Sequence, residues 1–344
     1  MVDSSAASVS YAEALQSPKW RSRLAAYSTP DAGRATRQLI VTGALLLGSS
    51  TLLFWGLANG VWAAMACALP SAFFVVRLFI IQHDCGHGSF FSRPAINNLL
   101  GAALGVVTLM PYSAWRHDHA VHHASSGNLG RRGIGDVTTL TVVEYRALPK
   151  RRRLAYWIYR HPLVHFVLGP AYVLLIRYRV PMTSPRRNRT DWLSILGTDA
   201  AVATLGTGLA ILVGPVAFAA GWGSILFLAT TIGVWCFYVQ HQFEQAYWSP
   251  SANWNFYAAA LDGSSFYDLP RLLHWLTGSI GFHHIHHLAS RIPNYRLRAC
   301  FDENPELQRA KRVGLWESFG SARLALWDEN SQRLVSFRAA GRPS

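Results

Sequence analysis

The chain has 344 residues, of which 51% are hydrophobic and only 15% are charged, and it contains 13 tryptophans. This composition is too apolar for an ordinary soluble protein and indicates an integral membrane protein. The net charge of +14 would also suit nucleic-acid binding, but basic residues beside membrane spans face anionic lipid. We therefore expect membrane lipids as partners and no nucleic acid.

The N-terminal residues 1–20 are polar and lack the apolar stretch of a cleaved signal peptide. We predict that residues 1–37 form a cytoplasmic N-terminal segment and that residues 38–344 form a single membrane domain. The cysteines have neither metal-binding nor redox spacing, which predicts free thiols in a reducing compartment. They are Cys67, Cys85, Cys236 and Cys300.

Four apolar runs are long enough to cross a bilayer, at residues 38–57, 61–82, 197–219 and 223–240. A helix of about 20 residues spans the ~30 Å hydrocarbon core. The connectors 58–60 and 220–222 are short and uncharged, which predicts two helical hairpins. The predicted fold class is therefore all-α, with four transmembrane helices.

Basic residues flank these hairpins rather than the connectors inside them. They lie between residues 21 and 37, between 146 and 153, and between 177 and 189. Because lysine and arginine accumulate in cytoplasmic loops, we expect both termini and the middle segment to be cytoplasmic. Residues 83–196 and 241–344 would then form a cytoplasmic cap.

Two shorter apolar stretches, 95–111 and 162–176, lie within the predicted cap. A crossing by either would leave histidine-rich or basic segments on opposite sides of the membrane. Pro111, Pro162 and Pro170 also fit short or broken helices better than full spans. We predict interfacial or re-entrant helices on the cytoplasmic side.

Histidines concentrate in three short segments. These are His83 to His87, which follows the second run, then His117 to His123, and His283 to His287. Helical residues at positions i, i+3 and i+4 share one face. We therefore expect three sets that each point at one spot: His83 with His87, His119 with His122 and His123, and His283 with His286 and His287.

Imidazole is a common ligand of iron, zinc, copper and nickel. Eight imidazoles on one membrane face exceed what one ion uses and fit two ions, whereas a chance run would not recur three times at ligand spacing. Zinc hydrolases usually need a carboxylate base, and structural zinc sites favour cysteine. The all-histidine set favours redox iron acting with O₂ on an apolar substrate, although spacing alone leaves the metal open.

Three segments resemble the histidine boxes of the integral-membrane fatty acid desaturases, in the bacterial Δ12/ω-6 acyl-lipid branch: HDCGHGSFF (83–91), WRHDHAVHH (115–123) and FHHIHH (282–287). Four further stretches are similar: GDVTTLTVVEY (135–145), VQHQFE (239–244), LDGSSFYDLP (261–270) and HLASRIPNYRL (287–297). The resemblance implies a four-span helical fold whose cytoplasmic cap holds two iron ions.

The resemblance also implies roles for individual histidines. Eight box positions would be both catalytic residues and iron ligands: His83, His87, His119, His122, His123, His283, His286 and His287. The family takes one more ligand from the end of the fourth span, where His241 is the matching residue. His117 and His284 fall at variable positions, so we expect supporting or incidental roles, and we expect His274 to be a hydrogen-bonded residue of the cap.

Nearby carboxylates are candidates to orient these ligands, because a ligating histidine usually donates its second N–H to such a group. The candidates are Asp84, Asp118, Asp136, Glu244, Asp262 and Asp268. Glu244 lies three residues after His241, a spacing that would place both on one helix face.

The implied activity is that of an oxidoreductase that introduces a cis double bond into an acyl chain, preferably a lipid-linked one, with O₂ as co-substrate. No fused cytochrome b5 segment is visible, so we expect a separate electron donor, such as an acidic ferredoxin, to dock on the basic face. We expect the protein in the bacterial inner membrane with its active site facing the cytoplasm.

Two other classes of protein remain as alternatives. A sister di-iron hydroxylase or oxygenase acting on alkanes, lipids or carotenoids would share the first hydrogen abstraction with a desaturase. A metal-binding or metal-transporting membrane protein would need ionisable residues within its spans. The predicted spans contain only Arg77 and Asp199, which argues against transport. The double-bond position and the acyl carrier stay open.

Overall fold

The computed structural model describes residues 18–133, 135–180 and 188–341. In chain order its helices are α1 (Pro18–Ala25), α2 (Ala32–Ala58), α3 (Ala68–His87), α4 (Pro94–Val107), α5 (Tyr112–Ser125), α6 (Val142–Ala147), α7 (Lys150–Tyr159), α8 (Val164–Arg177), α9 (Arg189–Val213), α10 (Pro215–His241), α11 (Phe256–Leu261), α12 (Arg271–Leu276), α13 (His283–Leu288), α14 (Asn294–Asp302), α15 (Leu315–Ser321) and α16 (Phe337–Ala340). Two 3₁₀ turns lie at Trp62–Cys67 and Pro305–Arg309.

Short strands complete the cap. β1 (Leu140–Thr141) runs parallel to β4 (Leu326–Asp328), which pairs antiparallel with β5 (Arg333–Val335). β2 (Phe266–Asp268) runs parallel to β3 (Arg312–Gly314). The β1–β4 pair joins the C-terminal region to a segment more than a hundred residues earlier. The β2–β3 pair joins it to the segment before α13.

Within the described residues, four helices are long and apolar enough to cross a membrane: α2, the 3₁₀ turn at Trp62–Cys67 continued by α3, α9 and α10. This confirms the predicted helical membrane fold with four candidate spans. The second of them is central, since 56% of its apolar window is buried against 17–22% for the other three. The exposed side chains of the outer helices, such as Leu47 and Ile211, are suited to contact lipid tails.

The predicted connector between the third and fourth spans at residues 220–222 is wrong. The chain turns instead at Gly214, whose φ of 86° is unfavourable for residues with a side chain. Pro215 then begins α10, since proline lacks an amide hydrogen and suits the first helical turn. Residues 220–222 lie inside α10, where a Cβ on Gly221 would be 2.6 Å from the Phe54 ring.

The predicted re-entrant stretch at residues 95–111 corresponds to α4, which is followed by a bend of 103° and then α5. Gln82 of α3 holds the bend, because its amide oxygen accepts from Thr108 Oγ1 at 2.6 Å and its amide nitrogen donates to the Met110 carbonyl at 2.8 Å. The length of the pair would also allow one broken span. The bend contacts Gln82 near the C-terminal end of α3, which favours the predicted interfacial or re-entrant placement over a full crossing.

The predicted interfacial stretch at residues 162–176 corresponds to the short apolar helix α8. The predicted N-terminal segment 1–37 is described only from residue 18, and residues 181–187 of the basic loop 177–189 lie outside the described residues. All four cysteines are free thiols, as predicted.

Arg77 attaches the cap to the spans. Its guanidinium donates to Thr42 Oγ1 of α2 at 3.1 Å and to the Trp275 carbonyl of α12, and it lies 4.4 Å from the Trp275 ring centroid. This buried charge therefore has a structural role between α3 and the cap, rather than lining a path for ions.

Candidate metal centre

The first histidine pair lies on the last turn of α3. His83 and His87 are four residues apart, so both side chains lie on one face of the helix. Gly88 ends the helix in the left-handed conformation with φ of 67°, which glycine adopts without strain. The chain then turns away and leaves both imidazoles at the helix end.

The second cluster lies on α5, which Tyr112 and Ser113 attach to neighbouring helices. The Tyr112 hydroxyl donates to the Cys85 carbonyl at 2.8 Å, and the Ser113 hydroxyl donates to Asp191 of α9 at 2.9 Å. These bonds bring His119, His122 and His123 against the end of α3.

The third cluster lies on α13, a helix of six residues of which the first five are buried. Ile285 and Phe282 pack into a core with Phe266 and Leu297, which directs the neighbouring histidines toward α3, α5 and α10. The fourth candidate span, α10, ends at His241 and places this imidazole beside His283.

The structure brings all nine predicted histidines together in two adjacent groups. A five-histidine group contains His83, His87, His119, His123 and His286, and a four-histidine group contains His122, His241, His283 and His287. Within each group the nitrogens available as ligands lie within 4.8 Å of one another. All members of the four-histidine group are buried, whereas three of the five-histidine group are half-buried.

We expected the histidines of each cluster to point at one spot. This is correct only for histidines that are four residues apart in the sequence. His119 and His123 share the five-histidine group, while His122 faces the four-histidine group. On α13, similarly, His286 is separated from His283 and His287. The i and i+4 side chains are almost aligned along a helix, whereas i+3 is rotated to one side.

Neighbouring Nε2 atoms within the groups are separated by 2.9–3.2 Å. Two nitrogens bound at right angles to one ion, each at about 2.1 Å, would lie about 3.0 Å apart. Both groups therefore have the nitrogen spacing of metal ligands.

The oxygen atoms that contact Nδ1 of His241 and of His122 support the same conclusion. The Nδ1 atom of His241 lies 3.1 Å from the carbonyl oxygen of Gly263, which can only accept, so this nitrogen carries the hydrogen. The Nδ1 atom of His122 lies 2.5 Å from Asp136 Oδ1. With both Nδ1 atoms occupied by these oxygen partners, the two Nε2 atoms face each other at 3.2 Å, an arrangement that a cation between them would stabilise.

Burial keeps these imidazoles in the form that binds metals. It lowers the pKa of His119, His123, His283, His286 and His287 well below the usual value of 6.5, and the neighbouring histidines lower the pKa further. Neutral imidazole is the ligand form. The donor set therefore fits two metal ions held by nitrogen alone.

Two of the six candidate carboxylates contact predicted ligands. Asp136 accepts from His122, and Asp84 Oδ1 lies 3.1 Å from His83 Nδ1. The other oxygen of Asp84 accepts from the backbone and side-chain nitrogens of Asn294, at 2.7 and 2.8 Å. Both carboxylates are therefore placed to fix the orientation of a ligating ring.

The other four carboxylates do not have this role in the described contacts. The prediction that Glu244 shares a helix face with His241 is wrong, because α10 ends at His241. Glu244 instead pairs with Arg333. Asp118 accepts from Tyr178, and Asp268 pairs with Arg312. Burial raises the pKa of Asp262 to about 6, but its backbone, rather than its carboxylate, has a described hydrogen bond.

The three remaining histidines of interest lie outside both groups. His117 Nδ1 lies 3.0 Å from Asp191 Oδ2 and so helps to join α5 to α9. Burial lowers the pKa of His284 to about 4, and its ring packs against Phe266 and Phe301. His274 accepts from the Leu269 amide at 3.3 Å, in agreement with the expected hydrogen-bonded cap residue.

Sequence reasoning missed the Gly263 carbonyl, Asn294 and Gln38. Gln38 of α2 donates to Asn294 at 2.9 Å, and Asn294 donates to Asp84. This chain of contacts joins the first candidate span to His83. A backbone carbonyl has no signature in a sequence, and the two amides lie 256 residues apart, so spacing could not relate them.

A sequence model described as "Fatty acid desaturase" matches residues 60–319. The chain is 41% identical over 317 residues to a "Fatty acid desaturase" of Bacillus subtilis, covering 92% of this chain and 90% of the relative.

Two relatives from Synechocystis sp. are also similar to the chain. The "sn-1 acyl-lipid omega-3 desaturase (ferredoxin)" is 30% identical, over 70% of this chain and 68% of the relative. The "sn-1 oleoyl-lipid 12-desaturase" is 27% identical, over 76% of this chain and 72% of the relative.

Proposed function

Because the chain belongs to the fatty acid desaturase family, whose members are oxidoreductases, we propose that it introduces a cis double bond into a lipid-linked acyl chain at two iron ions held by the nine histidines. The observation that carries the proposal is the division of nine converging imidazoles into two adjacent groups with facing Nε2 atoms. The two Synechocystis relatives are named as oleoyl-lipid and acyl-lipid desaturases, which supports a lipid as the acyl carrier.

Iron ions bound there would supply the O₂-dependent oxidation of an unactivated methylene group, chemistry that side chains alone do not provide. The chain contributes binding and orientation. Asp136 and the Gly263 carbonyl hold the Nδ1 hydrogens of His122 and His241, so that Nε2 of each ring faces inward. Burial of the four-histidine group keeps water away from these nitrogens.

We place the site on the cytoplasmic side of a bacterial inner membrane. The exposed face of α7 supports this orientation, because basic residues Lys150 to Arg153 stand beside Leu154, Trp157 and Ile158, all of which are exposed. A helix with this combination suits a membrane surface that carries anionic lipid.

The electron donor in this proposal is a separate protein such as ferredoxin. Ferredoxin is the donor named for one of the Synechocystis relatives. The net charge of +14 would favour an acidic partner.

Analysis of lipids from a bacterial host with a defined set of saturated and monounsaturated acyl chains tests the proposal. Expression of the chain should produce new double bonds, located by mass spectrometry of the intact lipids and of their acyl chains. His286→Ala removes a member of the five-histidine group. It should abolish the new double bonds and lower the bound iron from two ions to one.

The matched control is His161→Ala, since His161 lies outside both groups and its substitution should leave the products unchanged. Hydroxylated acyl chains in place of new double bonds would refute desaturation. Full activity of His286→Ala would refute the assigned metal centre.

A further inference from the structure

Arg160 is a buried cation outside the metal centre. It follows the last residue of α7 and is only 4% exposed. No carboxylate of the described residues forms an ion pair with it, since the described salt bridges all involve other residues. Burial of a charge without a counterion is unfavourable and is seldom retained for stability alone.

The guanidinium connects three separate segments through neutral acceptors. One terminal nitrogen donates to the Thr138 carbonyl at 3.3 Å. The other donates to Gln242 Oε1 and the Leu324 carbonyl, both at 2.8 Å, and to the Tyr238 hydroxyl at 3.2 Å. The planar fork of arginine suits such divergent bonds, which lysine cannot reproduce.

Two of these segments lead to the same metal group. Thr138 lies two residues after Asp136, whose carboxylate accepts from His122. Gln242 directly follows His241, and Tyr238 lies one helical turn before His241 in α10. His122 and His241 both belong to the four-histidine group, and their Nε2 atoms face each other at 3.2 Å.

We propose that Arg160 is a positioning residue for the four-histidine group: it ties the loop that carries Asp136 to the end of α10, and so sets the separation of His122 and His241. The inference rests on the proposed function, because it requires that the group binds a metal ion. Arg160 makes no described contact with the five-histidine group, so its influence should be confined to one of two ions.

Titration of the metal-free, detergent-solubilised full chain with Co²⁺ tests this inference, because the absorption of bound Co²⁺ depends on the number and geometry of its ligands. The wild-type chain should bind two ions with distinct spectra. His286→Ala identifies the spectrum of the five-histidine group by removing it. Arg160→Gln should weaken only the other binding step, by about 10–100-fold, as loss of a group that orients ligands typically does.

Arg77→Gln is the matched control, since it also removes a buried guanidinium, but one that contacts Thr42 and Trp275. It should leave both binding steps unchanged. Arg160→Lys keeps the charge without the fork and should weaken the same step to a smaller extent, which provides a second variant if Arg160→Gln does not fold.

The possible outcomes separate the two proposals. Fewer than two Co²⁺ ions on the wild-type chain would refute the two-metal centre itself. Two ions on the wild type with unchanged or equally weakened steps in Arg160→Gln would refute the positioning role alone. Failure of both Arg160 variants to fold would likewise refute it, because Arg160 would then serve the stability of the whole cap.

Discussion

At the scale of single residues, the geometry of the candidate metal centre depends on the histidines and equally on the groups that fix the orientation of their rings. His122 is held by Asp136, His83 by Asp84 and His241 by a backbone carbonyl. Each partner sits at Nδ1 and leaves Nε2 for a metal. The partners come from different segments, so the ring orientations are fixed only in the folded chain.

Asp136→Asn should weaken metal binding at the four-histidine group by about 10–100-fold, because the charge that fixes the His122 ring is lost without a change of size. Iron content after dialysis at a fixed concentration of free Fe²⁺ measures the effect. Asp268→Asn is the control, since Asp268 pairs with Arg312 away from both groups. Equal iron content in the two variants would contradict the role given to Asp136.

At the scale of elements, the bend between α4 and α5 decides where three of the nine histidines lie. Gly101 and Gly105 of α4 allow the following segment to fold back closely. A Cβ on Gly101 would overlap the Tyr112 ring, and one on Gly105 would lie 2.7 Å from the Met110 carbonyl oxygen. Tyr112 is buried, and its hydroxyl donates a hydrogen bond to the Cys85 carbonyl of α3. The Tyr112 ring therefore cannot move without shifting α5.

Gly101→Ala should therefore destabilise the chain by about 1–3 kcal/mol, the usual range for overpacking a core. Gly43→Ala is a matched control in α2, because nothing lies within 4 Å of the new methyl group and alanine favours helix by about 1 kcal/mol over glycine. Thermal unfolding in detergent compares the two variants. A melting temperature of Gly101→Ala at or above that of the wild type would show that α5 tolerates the shift.

At the scale of the whole molecule, the two groups join distant parts of the chain. Ligand candidates come from the spans α3 and α10 and from the cap helices α5 and α13, so two bound ions would connect two elements of the cap to two spans. A ligand that binds only the folded state stabilises it by mass action, by about 4 kcal/mol for an ion present at 1,000 times its dissociation constant.

Removal of the metal should accordingly lower the melting temperature of the purified chain, and Fe²⁺ should restore it. The measurement is thermal unfolding before and after chelation, with metal content determined on the same samples. His286→Ala should show a smaller difference, because only the four-histidine group would still bind an ion. An unchanged melting temperature after confirmed loss of both ions would contradict a structural contribution from the centre.

Much of this architecture could be predicted from the sequence, because its signals are local. The apolar runs and histidine spacings depend on helix geometry within a few turns, and they identified four candidate spans and eight of the nine histidines that converge. The ninth, His241, was expected only from the resemblance to the desaturases. The ligand role of these histidines stays a prediction.

What the sequence did not provide depends on tertiary contacts. Helix geometry turns His122 and His286 away from the histidines beside them, but the group that each one joins depends on contacts between helices, such as His286 with His123 and His122 with His241. The break between α9 and α10 is different, because the Gly214-Pro215 pair is a local signal for a helix end. The prediction missed it because the apolar run continues across this pair.

The nine histidines also set an order of events during biosynthesis. The ribosome completes His83 through His123 early, which leaves the five-histidine group lacking only His286. The four-histidine group at that stage has His122 alone and awaits α10 and α13. Neither group is complete until α13 has emerged and folded against the earlier helices, so the proposed two-metal centre could be completed only after most of the chain has been translated.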